Sequence, residues 1–220
     1  MATAYGIRPT DIDVFDTTFT EYACVQYMPV IIPESHLETG TITDKVCIAA
    51  LPPQLCDAKE IVNAAIQYER GLGNDFSHVY ITLKHGWATP GAPLNRPGLH
   101  TDGFGTEDIN YVWVDGAPTD IYVQDFHDIS DDDAISLQQF EAQADPASII
   151  HAPNKTLQRL DPFVVHAAPT IDAAQLRSFV KISFSNERYD LIGNAHNHTL
   201  HYNWPMHPRR IQRNLTASTS

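Results

Sequence analysis

The chain has 220 residues and a formal net charge of −13, with 27 acidic residues against 14 basic ones. That balance disfavours nucleic acid or an anionic membrane as partner, because both are held by clustered Lys and Arg; a small molecule is the expected ligand. The length suits one domain over residues 1–220, and no run approaches the eighteen or so apolar residues of a membrane span.

Taken in chain order, the first fifty residues carry the apolar runs "YACVQYMPVII" and "DKVCIAAL", read as strands with turns at Pro29, Pro33 and Gly40. "DAKEIVNAAIQYERGLG" places Ile61, Val62, Ala65 and Ile66 on one face before a stop at Gly71, the pattern of an amphipathic helix. From there the rhythm shortens. "SHVYITLKHGW", "INYVWVDG", "TDIYVQDF", "TLQRL", "FVVHAA" and "RSFVKISFS" are strand-length runs rich in β-branched and aromatic residues, bounded by Gly, Pro, Asp or Asn. One helix interrupts them, "AISLQQFEAQA", with Ser130 as the expected N-cap and Asp131 to Asp133 in its first turn. Many short strands after a helix predict a mainly β fold, an antiparallel sandwich or jelly roll.

Along "RSFVKISFS", Arg177, Phe179, Lys181 and Ser183 share one face and Ser178, Val180, Ile182 and Phe184 the other. Two cations on one face either meet solvent or point into a barrel where an anion binds. Three cysteines, Cys24, Cys47 and Cys56, without metal-type pairing suit a reducing cytoplasm. No charged-then-apolar leader opens the chain, so the sequons at Asn154, Asn197 and Asn214 carry no weight.

His100 and Asp102 stand two apart in "NRPGLHTDGFGTED". With 11 His and 19 Asp in the chain, a His-x-Asp is expected about once by chance, so the motif needs partners. The bland reading is a turn in which Asp102 caps backbone amides between Gly98 and Gly103. The sharper one adds His166 of "FVVHAAPT", which shares a strand face with Val164 and Ala168. Two histidines and one carboxylate on one face of an ion, with the other positions open, form the ligand set of oxygen-activating Fe(II) sites. Eleven residues on, Arg177 is suited to clamp a carboxylate in two-pronged fashion, with Lys181 and Ser183 on its face as alternatives or additions.

"HTD" at 100–102, "VVHAAP" around His166 and "RSFVKIS" from Arg177 resemble the His-x-Asp…His…Arg signature of the Fe(II)/2-oxoglutarate-dependent dioxygenases. The resemblance covers roughly residues 78–185 and implies a double-stranded β-helix (jelly-roll) core with flanking α-helices. It further implies His100, Asp102 and His166 as Fe(II) ligands, 2-oxoglutarate as cosubstrate, and O2 as oxidant, with succinate and CO2 formed as a small substrate is hydroxylated or otherwise oxidised. A carboxylate at 102 favours hydroxylation over the halogenation of relatives that lack it. Phe179 stands where many members have Ser or Ala, and Lys181-Ile-Ser183 restores a basic-x-Ser pattern, which leaves the clamp between Arg177 and Lys181.

Candidate substrate contacts are Arg96, Phe104, Tyr111 and Trp113, with Trp87 and Tyr122 also near the motif in sequence. Pairing of Arg96 with a substrate carboxylate would point to an amino-acid-like compound; a homo-oligomer is compatible with the sequence. Two other classes remain: a cupin-like metalloenzyme that does not use 2-oxoglutarate (isomerase, lyase or hydrolase), and a non-enzymatic jelly-roll binding protein. Other motifs lose to simpler readings. "DISDDD" lacks the spaced ligands and central Gly of a calcium loop, "RGLGND" and "GFG" lack the Lys-Ser/Thr of phosphate loops, and no Gly-x-Ser-x-Gly elbow occurs. The tail histidines His196, His198, His201 and His207 are read as a packed segment rather than a second metal site.

Overall fold

The structure is a computed structural model that describes residues 5–33, 50–92, 94 and 98–209. Arg96 and most of "DKVCIAAL" lie outside the described residues. The elements run β1 (Thr10–Val14), β2 (Ala23–Ile31), α1 (Lys59–Gly71), β3 (His78–Ala88), β4 (Ile109–Asp115), β5 (Asp120–Tyr122), α2 (Asp133–Gln143), β6 (Ile149–His151), β7 (Thr156–Leu160), β8 (His166–Ala167) and β9 (Gln175–Ser185). The protein is mainly β. A six-stranded antiparallel sheet has the order β1-β7-β4-β9-β3-β2, and a three-stranded one the order β6-β5-β8. An isolated antiparallel bridge adds His100 beside His166 at the edge of the smaller sheet.

Side-chain alternation decides what each face of the large sheet meets. Val79, Ile81 and Leu83 of β3, Tyr111 and Trp113 of β4, and Val180, Ile182 and Phe184 of β9 form one cluster with Ile61, Val62, Ala65 and Ile66 of α1. The predicted apolar stripe of α1 is therefore the stripe that packs, each fully buried aliphatic side chain contributing about 1.5–3 kcal/mol. The opposite face brings Val112, Val114 and Phe179 against Ile121, Ala152 and Val164 of the smaller sheet and its connections. Adjacent residues on β9, such as Phe179 and Val180, thus enter different cores. Arg177 and Lys181, on the inner face, are only 5% and 7% exposed. Both cations point into the protein.

Helix α2 supports the smaller sheet from outside. Its Phe140 packs with Leu99, Phe126, Val165 and Ala167, and its Glu141 Oε1 accepts the Leu99 N–H at 3.1 Å. The helix so flanks both His100 and His166.

Two local expectations differ from what forms. Pro29 is not a turn but sits inside β2, opposite Tyr80; β2 is an edge strand, where a missing N–H breaks no ladder. The N-cap of α2 is Asp132 rather than Ser130: its side chain accepts from the Ala134 and Ile135 amides, while Ser130 Oγ accepts from Asp132 N–H. β1 and β6 carry little strand signal, β1 because it is a largely exposed, polar strand and β6 because it is only three residues long. Among the described residues no helix is long and apolar enough to cross a membrane.

Candidate metal centre

His100 and His166 face each other across paired backbones. The His100 N–H donates to His166 O at 3.0 Å and the His166 N–H to His100 O at 2.9 Å, and the ring centroids are 4.6 Å apart. Each imidazole is then fixed by its own chain. His100 Nδ1 lies 2.9 Å from Gly98 O and His166 Nδ1 3.1 Å from Val164 O. A carbonyl can only accept, so both Nδ1 atoms carry the proton and both Nε2 atoms keep a lone pair. This is the arrangement by which metal-bound histidines are oriented.

Asp102 completes the set. One ligand atom from each of His100, Asp102 and His166 lies within 4.8 Å of the others, the only such group of His, Cys, Asp or Glu among the described residues. His166 Nε2 stands 3.6 Å from Asp102 Oδ2; bonds of about 2.0–2.2 Å to one ion would set neighbouring ligands about 3 Å apart. After Asp102 the chain turns at Gly103, at φ +77°, where a Cβ would meet Asp108 O at 2.7 Å. No backbone amide among the described residues donates to the Asp102 carboxylate, so the capping role is not the one it plays. Its Oδ1 instead accepts from Lys181 Nζ at 3.0 Å.

The electrostatics follow from burial against pairing. Burial alone would raise the Asp102 carboxyl, but the Lys181 ammonium beside it holds it well below the usual carboxylate range. Burial would likewise lower Lys181, yet Asp102 and Tyr27 keep it above an ordinary lysine. The residues therefore fit a divalent cation: two oriented neutral nitrogens and an ionised oxygen.

A cavity of about 80 Å³ opens on the triad, with Thr82, Lys84, Thr119 and Phe179 among its walls. Room for one water needs about 10–15 Å³ by this measure, so a small multi-atom ligand fits. Its charge is mostly positive. Lys84 joins Lys181 there, lowered by burial foremost and by repulsion from Arg177 and Lys181.

Arg177 sits behind Phe179. Its guanidinium lies 5.0 Å from that ring's centroid, its Nε donates to Ala117 O at 2.9 Å, and its buried Nη2 has no hydrogen-bond partner. Burial pulls it down to about 10, so it stays cationic at neutral pH. Ser183 does not reach the triad; its hydroxyl donates to Asn110 at 2.6 Å.

Of the aromatic candidates, Phe104 lines a second cavity beside Asp102. Tyr111 and Trp113 are corrected: both are fully buried on the α1 side of the sheet, where Tyr111 OH donates to Glu69 and Trp113 Nε1 to Phe15 O. Odd-numbered residues of β4 face the helix; Asn110 and Val112 face the cavities. Trp87 is largely exposed, and Tyr122 packs in the cluster under α2.

Two residues at the site were not foreseen. Lys84 could have been found by alternation, since it shares a β3 face with Thr82 in an otherwise apolar run. Tyr27 could not. It has φ +45° at an irregularity in β2, its N–H held by Thr82 Oγ1 at 3.0 Å, and a bulge of this kind re-aims a side chain. Its hydroxyl lies 3.1 Å from Lys181 Nζ, and it lines both cavities.

No protein-family model matches the chain, and no curated protein is similar to it. What the geometry shows is a buried His-Asp-His cluster able to hold a metal ion, in a mainly β protein.

Proposed function

We propose that this protein is an Fe(II)- and 2-oxoglutarate-dependent oxygenase that hydroxylates or otherwise oxidises a small molecule. One observation carries the reading: the triad opens into a cavity whose other charged side chains are cationic. A metal that only activates water has no need of buried cations beside it. An anionic cosubstrate does.

The strand order supports a jelly-roll core. From β3 onward the chain crosses between sheets at every step except β5 to β6, placing β3-β9-β4-β7 in one and His100-β8-β5-β6 in the other. Each histidine then lies on the smaller sheet and the cations on the larger one, so the ion and its anionic ligand meet between the two.

Within that reading the chain's own residues divide the work. His100, Asp102 and His166 would hold the ion. Lys181 fixes Asp102 Oδ1, which would leave Oδ2 as the ligand atom, an orienting role that metal sites commonly need. The distal carboxylate of 2-oxoglutarate is assigned to the cationic side of the cavity, where Lys84 lines the wall and the orphaned donor Arg177 Nη2 lies behind Phe179. Lys181 is already engaged by Asp102 and Tyr27, which leaves Arg177 and Lys84 as the clamp. Fe(II) bound there would supply oxygen activation coupled to oxidative decarboxylation of 2-oxoglutarate. The exposed thiols of Cys24 and Cys56 accord with a cytoplasmic setting.

The test is anaerobic titration of the iron-loaded protein with 2-oxoglutarate. A weak visible charge-transfer band, followed by O2-dependent succinate release, is the expected result. Stoichiometric metal with neither band nor succinate would overturn the reading in favour of a cupin-like metalloenzyme.

A further inference from the structure

The second cavity, about 380 Å³, shares Tyr27, Asp102 and Lys181 with the first. Its volume falls at the lower end of the roughly 300–1,000 Å³ of small-molecule sites. Part of its wall comes from the segment after β9, which belongs to neither sheet. Ile192 N–H donates to His207 O, His207 N–H to Asp190 O (both 2.8 Å) and Arg209 Nε to Ile192 O (2.9 Å), folding residues 188–209 into one unit.

Beyond the residues shared with the first cavity, the charged groups of this one have both signs: Asp108 and Asp190, Arg188 and Arg209. Asp108 Oδ2 accepts from Tyr189 OH at 2.6 Å, and no cation among the described residues pairs with it. Arg188 Nε stands 3.8 Å from Asp190 Oδ2, beyond hydrogen-bond reach, with its guanidinium 5.8 Å from the Trp204 ring centroid. A carboxylate paired with no cation among the described residues and a guanidinium only loosely paired, 3.8 Å from its anion, thus line one cavity. A ligand with only negative charge would meet Asp108 and Asp190 unfavourably; one with only positive charge would meet Arg188 and Arg209. A ligand with both charges satisfies both walls, since burying either charge unpaired is costly.

We infer that this cavity is the substrate site and takes a free amino acid or similar small zwitterion, its ammonium on Asp108 and its carboxylate on Arg188, with Arg209 adjacent. The inference rests on the triad being the reaction centre, because Asp102 lines the same cavity and so sets a bound ligand beside it. Phe104 and Leu191 provide the apolar wall for the remainder of the molecule. The segment after β9 is then a specificity element.

Three pools are titrated anaerobically into the full-length protein loaded with Fe(II) and 2-oxoglutarate: the proteinogenic L-amino acids, the matching primary amines and the matching carboxylic acids. Binding is read by thermal shift, which ligation of the folded state raises, and by equilibrium dialysis of single pool members. Only the amino-acid pool should shift the protein. Asp108→Asn and Arg188→Gln should each weaken the responding compound at least tenfold while Fe(II) and 2-oxoglutarate bind as before, which also shows the variants to be folded. Equal shifts from amines or acids, no shift from any pool, or unchanged affinity in both variants would overturn the assignment. Fe(II) and 2-oxoglutarate bound without any amino acid would defeat this inference alone; an amino acid bound without 2-oxoglutarate would defeat the oxygenase reading alone.

Discussion

Lys181 Nζ and Asp102 Oδ1 meet at 3.0 Å with both side chains largely removed from solvent, 9% and 16% exposed. One belongs to the last strand, the other to the turn after His100, and the pair ties the large sheet to the metal centre. Removing one partner of a buried pair leaves an uncompensated charge and typically costs about 3–5 kcal/mol. Lys181→Met should lose about that much stability without metal, measured by urea denaturation. Divalent metal should restore more of the loss than it adds to the wild type, because the ion replaces the missing cation beside Asp102. Equal gains in both proteins would contradict this.

His166→Ala removes one of two oriented nitrogens while its backbone pairing with His100 can persist. The variant should fold, with an unchanged far-ultraviolet dichroism spectrum, and should retain no stoichiometric Fe(II) after gel filtration. Retained metal would place the ion elsewhere.

Arg177→Gln tests the clamp. A charged hydrogen bond contributes about 1.5–3 kcal/mol, so affinity for 2-oxoglutarate should fall roughly 10- to 100-fold, with Fe(II) affinity unchanged. Lys84→Met should shift 2-oxoglutarate binding in the same direction. If both variants bind the cosubstrate as the wild type does, the cavity holds another anion.

Glu69 offers a pH test away from the site. It is buried in α1 and accepts from Arg159 Nε (2.5 Å), Tyr111 OH and Asn74 Nδ2 (both 2.6 Å). Burial would raise its carboxyl, but these donors and the Arg159 charge hold it below its ordinary value. A carboxyl depressed on folding adds stability that is fully present above its unfolded value, and that stability is lost as pH falls through the folded one. Glu69→Gln should therefore be less stable than wild type at pH 7 by a few kcal/mol (about 3–5), and the gap should narrow below about pH 4.5. A gap that stays constant into acid would mean that the carboxylate is not the stabilising form.

Much of the candidate site was legible beforehand because it depends on residue type and a period of two. The His-x-Asp pair, the late histidine and the shared face of Arg177 and Lys181 could all be read from spacing. The stripe of α1 was legible for the same reason. Tyr111 and Trp113 misled because proximity in sequence says nothing about which side of a strand meets a cavity and which meets a helix. Lys84 is marked in the sequence only by its alternation with Thr82, and Tyr27 depends on a backbone irregularity with no sequence signature.

By itself, then, the sequence determined which residues alternate together, where α1 forms, and that metal-ligating and cationic side chains are available. The tertiary structure alone decided that His100, Asp102 and His166 converge, that Lys181 belongs to Asp102 while Arg177 lies behind Phe179, and that residues 188–209 wall a second cavity. The reason is physical: periodicity fixes directions within a strand, whereas coordination and cavity shape depend on the packing of segments far apart in the chain.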